Sequence, residues 1–188
     1  MKLLDDAIIF AVKAHSGTVR KNSGVPYILH PLEAAVIAAS LTGDEEVMAA
    51  AVLHDTVEDT EASAEDIRAR FGARVAALVA AETEDKRPGQ PAADTWRLRK
   101  EESLRELAEA EDPGVKILWL ADKLSNMRGL YRSWQKDGSA IWEHFNQNDP
   151  AEQAWYYRSV TKLLAELGKS EAWQELNDLV EKVFEGIR

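Results

Sequence analysis

Apolar residues recur along most of the chain at spacings of three and four, the period of one face of an α-helix. No segment sustains a two-residue alternation of β-branched residues. Leu3, Leu4, Ala7, Ile8, Ala11 and Val12 make the first stripe, which ends near His15. Residues 16–29 read as a loop, broken by Gly17, Gly24 and Pro26. Pro31 suits the first position of a helix that Leu32, Ala35, Val36 and Ala39 continue inward. Residues 45–55, rich in Ala, Val and Leu, predict a helix buried on most sides. Ser63 with Asp66 resembles a capping box and starts a helix that Gly72 ends, and the pattern resumes over 74–82. The segment RPGQPAA (87–93) reads as a surface loop. Helices follow near 95–109, 114–134, 150–167 and 171–186, with Pro113 and Pro150 at two starts and Gly168 at one end. The expected fold is all-α, a helical bundle forming one domain over residues 1–188.

Composition narrows the chemistry. The 188 residues carry 23 Lys and Arg against 33 Asp and Glu, a formal charge of 23 − 33 = −10. That acidity argues against non-specific nucleic-acid binding, which relies on a basic surface. The absence of cysteine excludes disulfides, thiolate metal sites and Cys nucleophiles. No apolar run approaches the roughly 18 residues that suggest a membrane span, and Met-Lys-Leu-Leu-Asp-Asp meets acid too early for a signal peptide. A cytoplasmic protein with no membrane partner is expected. The pattern leaves homo-oligomer formation open, with Trp142, Trp155 and Trp173 as candidates for a core or an interface.

The most informative segment is His54-Asp55-Thr56-Val57-Glu58-Asp59-Thr60. Glu58 lies four residues from His54, and Asp59 four from Asp55, so a continuing helical turn would bring these side chains together. Four ionisable groups directly after Ala-Ala-Ala-Val-Leu are costly to bury without a cation or partners. His30, before Pro31, and Asp122, in the otherwise apolar KILWLADKLSNM, are further candidate ligands. Two imidazoles with two carboxylates suit Mn²⁺ or Fe²⁺, with Zn²⁺ also open, and an open position on such an ion activates water. Taken singly, each group also has an ordinary explanation: a capping His, a solvated Glu58-Asp59 turn, a salt-bridged Asp122.

Cations gather near the same segments: Arg20-Lys21, Lys86-Arg87, the Arg97, Arg99 and Lys100 set, and Lys123 and Arg128 around Asp122. In an acidic protein this clustering suggests a small polyphosphorylated ligand. The alternative for Arg97, Arg99 and Lys100 is pairing with Glu101, Glu102 and Glu106 on an exposed helix.

HSGTVRKNSGVPYILHP (15–31), VLHDTVEDT (52–60), the Phe-Gly of 71–72, TEDK (83–86), LADKLSNMR (120–128) and AWYYR (154–158) stand in one order. In this the chain closely resembles the stand-alone small alarmone hydrolases of the HD superfamily, which are similar to the hydrolase half of bifunctional Rel/SpoT-type enzymes. The resemblance implies an all-α HD fold with one Mn²⁺ held by His30, His54, Asp55 and Asp122. It implies that Glu58 and Asp59 orient or deprotonate the attacking water. Arg20 would stack on the base beside Lys21, Asn126 would lie near the ribose, and Lys86 and Lys123 would contact phosphate. The implied reaction removes the 3′-pyrophosphate of (p)ppGpp, giving GDP or GTP and pyrophosphate.

Thr18, Asn22 and Gly129 depart from the family pattern beside the nucleotide, which puts base preference rather than catalysis in question. The chain is too short for the synthetase and regulatory domains of the bifunctional relatives, so it is expected to degrade alarmone without making it. (p)ppApp, or another 3′-phosphorylated nucleotide such as NADPH, is an alternative substrate of the same site. A non-catalytic nucleotide-binding HD module is a third reading.

Overall fold

A computed structural model of the chain describes residues 2–20, 24–87 and 89–187. Among these the regular structure is helical: α1 (Lys2–Ala14), α2 (Leu29–Leu41), α3 (Glu45–Leu53), the single turn α4 (Thr56–Asp59), α5 (Ala64–Phe71), α6 (Ala73–Ala80), α7 (Ala92–Glu109), α8 (Pro113–Asp137), α9 (Pro150–Leu163) and α10 (Glu171–Val183). Short 3₁₀ turns cover Gly138–His144 and Ala165–Leu167.

Helix α3 is the hub. The Asp44 carboxylate accepts from the Glu46 amide at 3.0 Å and starts it, and α1, α2, α6 and α8 all pack against it. Val47 and Ala49 through Leu53 are buried. Small Ala side chains let four helices approach one short helix closely. The unbroken apolar run therefore marks burial on most sides, as its pattern predicts, with Met48 half-buried. Helix α8 is the long strut, lying against α2, α3 and α10, and α9 joins α7 to α10. Trp142 stacks on Phe184 at 5.5 Å, and Trp173 Nε1 donates to the Thr161 carbonyl, so both serve internal packing.

Several boundaries differ from the sequence reading for local reasons. Helix α2 starts at Leu29, which makes Pro31 its third residue; the amides of a first turn have no intrahelical acceptor, so proline is tolerated there. The expected 45–55 helix breaks after Leu53 and restarts as α4. The Thr56 hydroxyl donates to the Leu53 carbonyl at 2.6 Å, competing with the helical ladder. Helix α9 stops at Leu163, and the expected run to 167 ends in the 3₁₀ turn capped by Gly168. The last helix ends at Val183, while α7 begins earlier and α8 runs later than expected. Within the 16–29 loop, the Arg20 amide donates to Val25 and the Tyr27 amide to Thr18. These bonds fold the segment back on itself and bring Arg20 and Tyr27 to the mouth of the site. Among the described residues no helix is long and apolar enough to cross a membrane.

Candidate metal centre and active site

The end of α3, the start of α2 and the middle of α8 converge on one point. His30 Nε2 and His54 Nε2 lie 3.2 Å apart. Asp122 Oδ1 stands 3.0 Å from the first and 3.3 Å from the second, and Asp55 Oδ2 stands 3.4 and 3.1 Å from them. Each element is fixed by packing: His30 lies in the first turn of α2, His54 caps α3, and Asp122 has the buried Leu118 and Ala121 beside it on α8. Asp55, in the break after Leu53, reaches back to the His54 ring.

The outward nitrogen of each ring sets which atoms face inward. His54 Nδ1 lies 2.8 Å from the Ala51 carbonyl, which can only accept, so Nδ1 carries hydrogen and Nε2 offers a lone pair when the ring is neutral. His30 Nδ1 lies 2.8 Å from Ser125 Oγ. Four electron-rich atoms then face one another, an arrangement that is repulsive unless a cation or protons lie among them. Two imidazole nitrogens and two carboxylates fit a divalent metal. Glu82 adds a further carboxylate whose oxygen lies within 4.8 Å of the ligand atoms of His54 and Asp55.

The electrostatics carry the same imprint. Burial alone would raise Asp55 and Asp122, but the imidazoles and, for Asp122, the adjoining Lys123 outweigh it and hold both carboxyls well below the usual range. Burial alone would lower His54, but Asp55 and Asp122 raise it well above. Burial pushes Glu82 up to about 8, with Lys123 pulling the other way.

One turn on, α4 presents the acidic pair. Glu58 is largely buried; burial raises its pKa against the opposing pull of the Glu84 amide and Lys86. Its Oε2 accepts from the Glu84 amide at 3.0 Å, and its Oε1 lies 3.1 Å from Lys86 Nζ. Both oxygens of Asp59 are taken: Oδ1 by Lys86 at 2.5 Å and Oδ2 by the Tyr27 hydroxyl at 2.8 Å. Arg20 Nη2 donates to Asn126 Oδ1 at 2.7 Å, and Asn126 Nδ2 donates to Asp122 Oδ1 at 2.6 Å, so both sit beside the cluster. Lys123 lies between Asp122 Oδ2 at 2.5 Å and Glu82 Oε1 at 2.7 Å. Lys21 lies outside the described residues.

The other cations are engaged elsewhere. Arg97 pairs with Glu101 and Glu152, Arg99 and Lys100 with Glu84, and Arg128 with Glu33 and Glu175. The sequence reading missed Tyr27, Glu33, Glu82 and Ser125. Tyr27 ties the Asp55 and Asp59 carboxylates through one hydroxyl, and His15, buried, stacks on its ring at 4.9 Å. A signal existed for two of them: Glu33 and Ser125 each stand three residues after a ligand on a largely apolar helix, and so share that ligand's face.

The HD domain family profile matches residues 7–150, and the chain belongs to that family. Human guanosine-3′,5′-bis(diphosphate) 3′-pyrophosphohydrolase MESH1 is 41% identical over 130 residues, covering 68% of this chain and 69% of the human protein. The guanosine-3′,5′-bis(diphosphate) 3′-pyrophosphohydrolase of Aquifex aeolicus is 41% identical over 124 residues. That match covers 65% of this chain and only 17% of the longer Aquifex protein. A solved structure described as a metazoan ortholog of SpoT that hydrolyzes ppGpp aligns with TM-score 0.77 and 26% identity, over 100% of this chain and 98% of that one. A Listeria monocytogenes structure aligns at TM-score 0.71 and 32% identity, over 87% and 100%.

Proposed function

We propose that this protein is a metal-dependent 3′-pyrophosphohydrolase that converts (p)ppGpp to GDP or GTP and pyrophosphate. The observation that carries the reading is the convergence of His30, His54, Asp55 and Asp122 with the Glu58 and Asp59 pair one turn away. The likeness to relatives named for this activity agrees with it. The proposed ion is a single Mn²⁺, and when bound it would supply Lewis acidity toward a phosphate oxygen and a water.

The chain's own groups do the rest. Both acids already accept hydrogen bonds, Glu58 from the Glu84 amide and Lys86 and Asp59 from Lys86 and Tyr27, and Glu58 is the better proton acceptor because burial keeps it basic. Asp59 and Tyr27 orient the water's approach. Water oxygen bonds to the phosphorus attached at O3′ while its proton passes to Glu58; the P–O3′ bond breaks, and the departing O3′ takes up that proton from Glu58 to become the 3′-hydroxyl, which restores the carboxylate. Arg20 presents a guanidinium face for a purine, Lys21 joins it, and Asn126 addresses the ribose. Lys86 offsets phosphate charge, and Lys123 adds positive charge from its seat beside Asp122. We further propose one domain over residues 1–188 acting in the cytoplasm on a small purine nucleotide, without nucleic-acid or membrane partners.

The test strips the protein of metal, restores Mn²⁺, and follows pyrophosphate release from ppGpp and ppApp in parallel. Mn²⁺-dependent release that His54→Ala abolishes supports the reading, and the faster substrate gives the base preference. A folded protein that binds Mn²⁺ and releases pyrophosphate from neither would overturn it.

A further inference from the structure

A chain of hydrogen bonds leaves the proposed metal centre through His30 and ends on the last helix. His30 Nδ1 meets Ser125 Oγ at 2.8 Å, and Ser125 Oγ lies 2.7 Å from Glu33 Oε2. Glu33 Oε1 accepts from Arg128 Nη1 at 3.0 Å, and the Nε and Nη2 of Arg128 donate to the two oxygens of Glu175 at 2.7 and 2.6 Å. His30 and Ser125 are both buried. Glu33 and Arg128 are partly exposed. Glu175 belongs to α10, beyond the residues the HD profile matches.

The direction of this chain is dictated by its members. An ionised carboxylate only accepts, so Ser125 must give its one hydroxyl hydrogen to Glu33. Ser125 Oγ then has only lone pairs to offer His30, so Nδ1 must carry the hydrogen. The Nε2 lone pair is left for the cluster. We infer that Glu33 and Ser125 are positioning residues that fix the His30 ring in its metal-binding tautomer, and that Arg128 and Glu175 aim Glu33 for this task from α10. The inference rests on the metal-centre reading above and names residues that reading does not use.

A specific consequence follows for Glu33→Gln. Arg128 Nη1 needs an acceptor, so the amide oxygen stays on Arg128 and the amide NH₂ turns to Ser125. The serine hydroxyl must then point at His30 Nδ1, or its hydrogen is left buried without an acceptor. Either result works against the metal-binding tautomer. In Glu33→Ala the hydroxyl is free to turn, so the near-isosteric Gln is the more damaging change.

The test measures Mn²⁺ affinity by calorimetry, together with kcat and KM, for wild type and variants whose circular dichroism and melting temperature match. Ser125→Ala is expected to weaken Mn²⁺ binding about 10- to 100-fold. Saturating Mn²⁺ should restore most of kcat, with the nucleotide KM little changed, and Ser125→Thr should recover affinity. Glu33→Gln is expected to bind Mn²⁺ more weakly than Glu33→Ala, and Glu175→Gln to show a smaller loss. Nitrogen-15 spectra of the metal-free protein should show His30 Nδ1 protonated in the wild type. If the wild type binds no Mn²⁺, the metal-centre reading fails, and the His30 spectrum still decides the relay. If Ser125→Ala binds Mn²⁺ as tightly as the wild type, or His30 Nδ1 is bare, the relay is wrong while the metal reading stands.

Discussion

The ammonium of Lys123 lies 2.7 Å from the Glu82 carboxylate, both side chains nearly buried, beside Asp122 and over the Trp119 ring at 4.6 Å. Burial pushes Glu82 up to about 8, whereas Asp122 and Glu82 outweigh burial at Lys123 and keep it charged. Removing the ammonium leaves Asp122, and Glu82 wherever the pH ionises it, without a counter-ion. Lys123→Met should cost about 3 kcal/mol of stability, and the double variant Lys123→Met/Glu82→Leu should recover most of it. A carboxyl whose folded pKa is raised holds its proton longer in the fold than in the unfolded chain. Its contribution is therefore most favourable in acid and fades as pH rises from the ordinary Glu value toward the folded one. Urea unfolding should accordingly show the single variant's deficit growing toward alkaline pH. A double variant as unstable as the single would refute the pairing.

The two acids of α4 are expected to separate by role. Glu58→Gln removes the proposed proton acceptor and should lower kcat about 10²- to 10⁴-fold. Asp59→Asn keeps a side chain that can still meet Tyr27 and should cost about tenfold. Lys86 is the cation nearest both acids. Since it lowers the pKa of Glu58 against burial, Lys86→Ala should raise that pKa further and move the acid limb of the pH–rate profile upward. Steady-state rates across pH for the three variants check this. An Asp59→Asn loss larger than that of Glu58→Gln would reverse the assignment.

Away from the site, Arg74, itself in the first turn of α6, clamps the starts of two other helices. It donates to Asp44 and Glu46 at the head of α3 and to Asp112, the N-cap of α8. Its hydrogen bonds hold Asp44 and Asp112 below the usual carboxylate range. Depressed carboxyls stabilise above their unfolded pKa and lose that contribution as pH falls through the folded one, so the window lies below about pH 4. These groups are about one-third exposed, which screens them, so Arg74→Met should cost about 1 kcal/mol at neutral pH. The gap between variant and wild type in chemical denaturation should close on acidification. A gap independent of pH would mean that the Arg74 stem packs rather than pairs.

Much of this was legible from residue pattern because the determinants are local. The Ala-rich run of α3, the Ser63 and Asp66 capping box and the His54-Asp55-Glu58-Asp59 spacing each act within a few residues, and the structure shows the capping box formed. The break between Leu53 and Thr56 was not legible, since it depends on one hydroxyl winning a carbonyl from the helical ladder. Nor were the partners of the cations. Arg128 lies beside Asp122 in sequence, yet its guanidinium reaches Glu175 on a helix 47 residues later. Tyr27 escaped for the same reason: its role exists only once the 16–29 segment folds back over α4. Pattern thus reveals which residues are unusual, while their hydrogen-bond partners come from tertiary packing.

Gly114, at the start of α8, sits where the packing leaves no room for a side chain. A Cβ there would stand 2.8 Å from Val47 Cγ2, 3.0 Å from Asp112 Oδ1 and 3.2 Å from Leu78 Cδ2. On propensity alone, Ala in a helix is better than Gly by about 1 kcal/mol. Here the added methyl would press on α3 and α6 at once, and Val47 is a short β-branched side chain with little freedom to yield. Overpacking should win, so Gly114→Ala is expected to destabilise by about 1–2 kcal/mol net. Val47→Ala in the same chain should relieve the clash, leaving the double variant less unstable than the sum of the singles. Because α3 and α8 carry His54 and Asp122, the shift should also weaken Mn²⁺ binding. Thermal unfolding of the two singles and the double measures the coupling, and simple additivity would show that α8 slides away from α3 without strain.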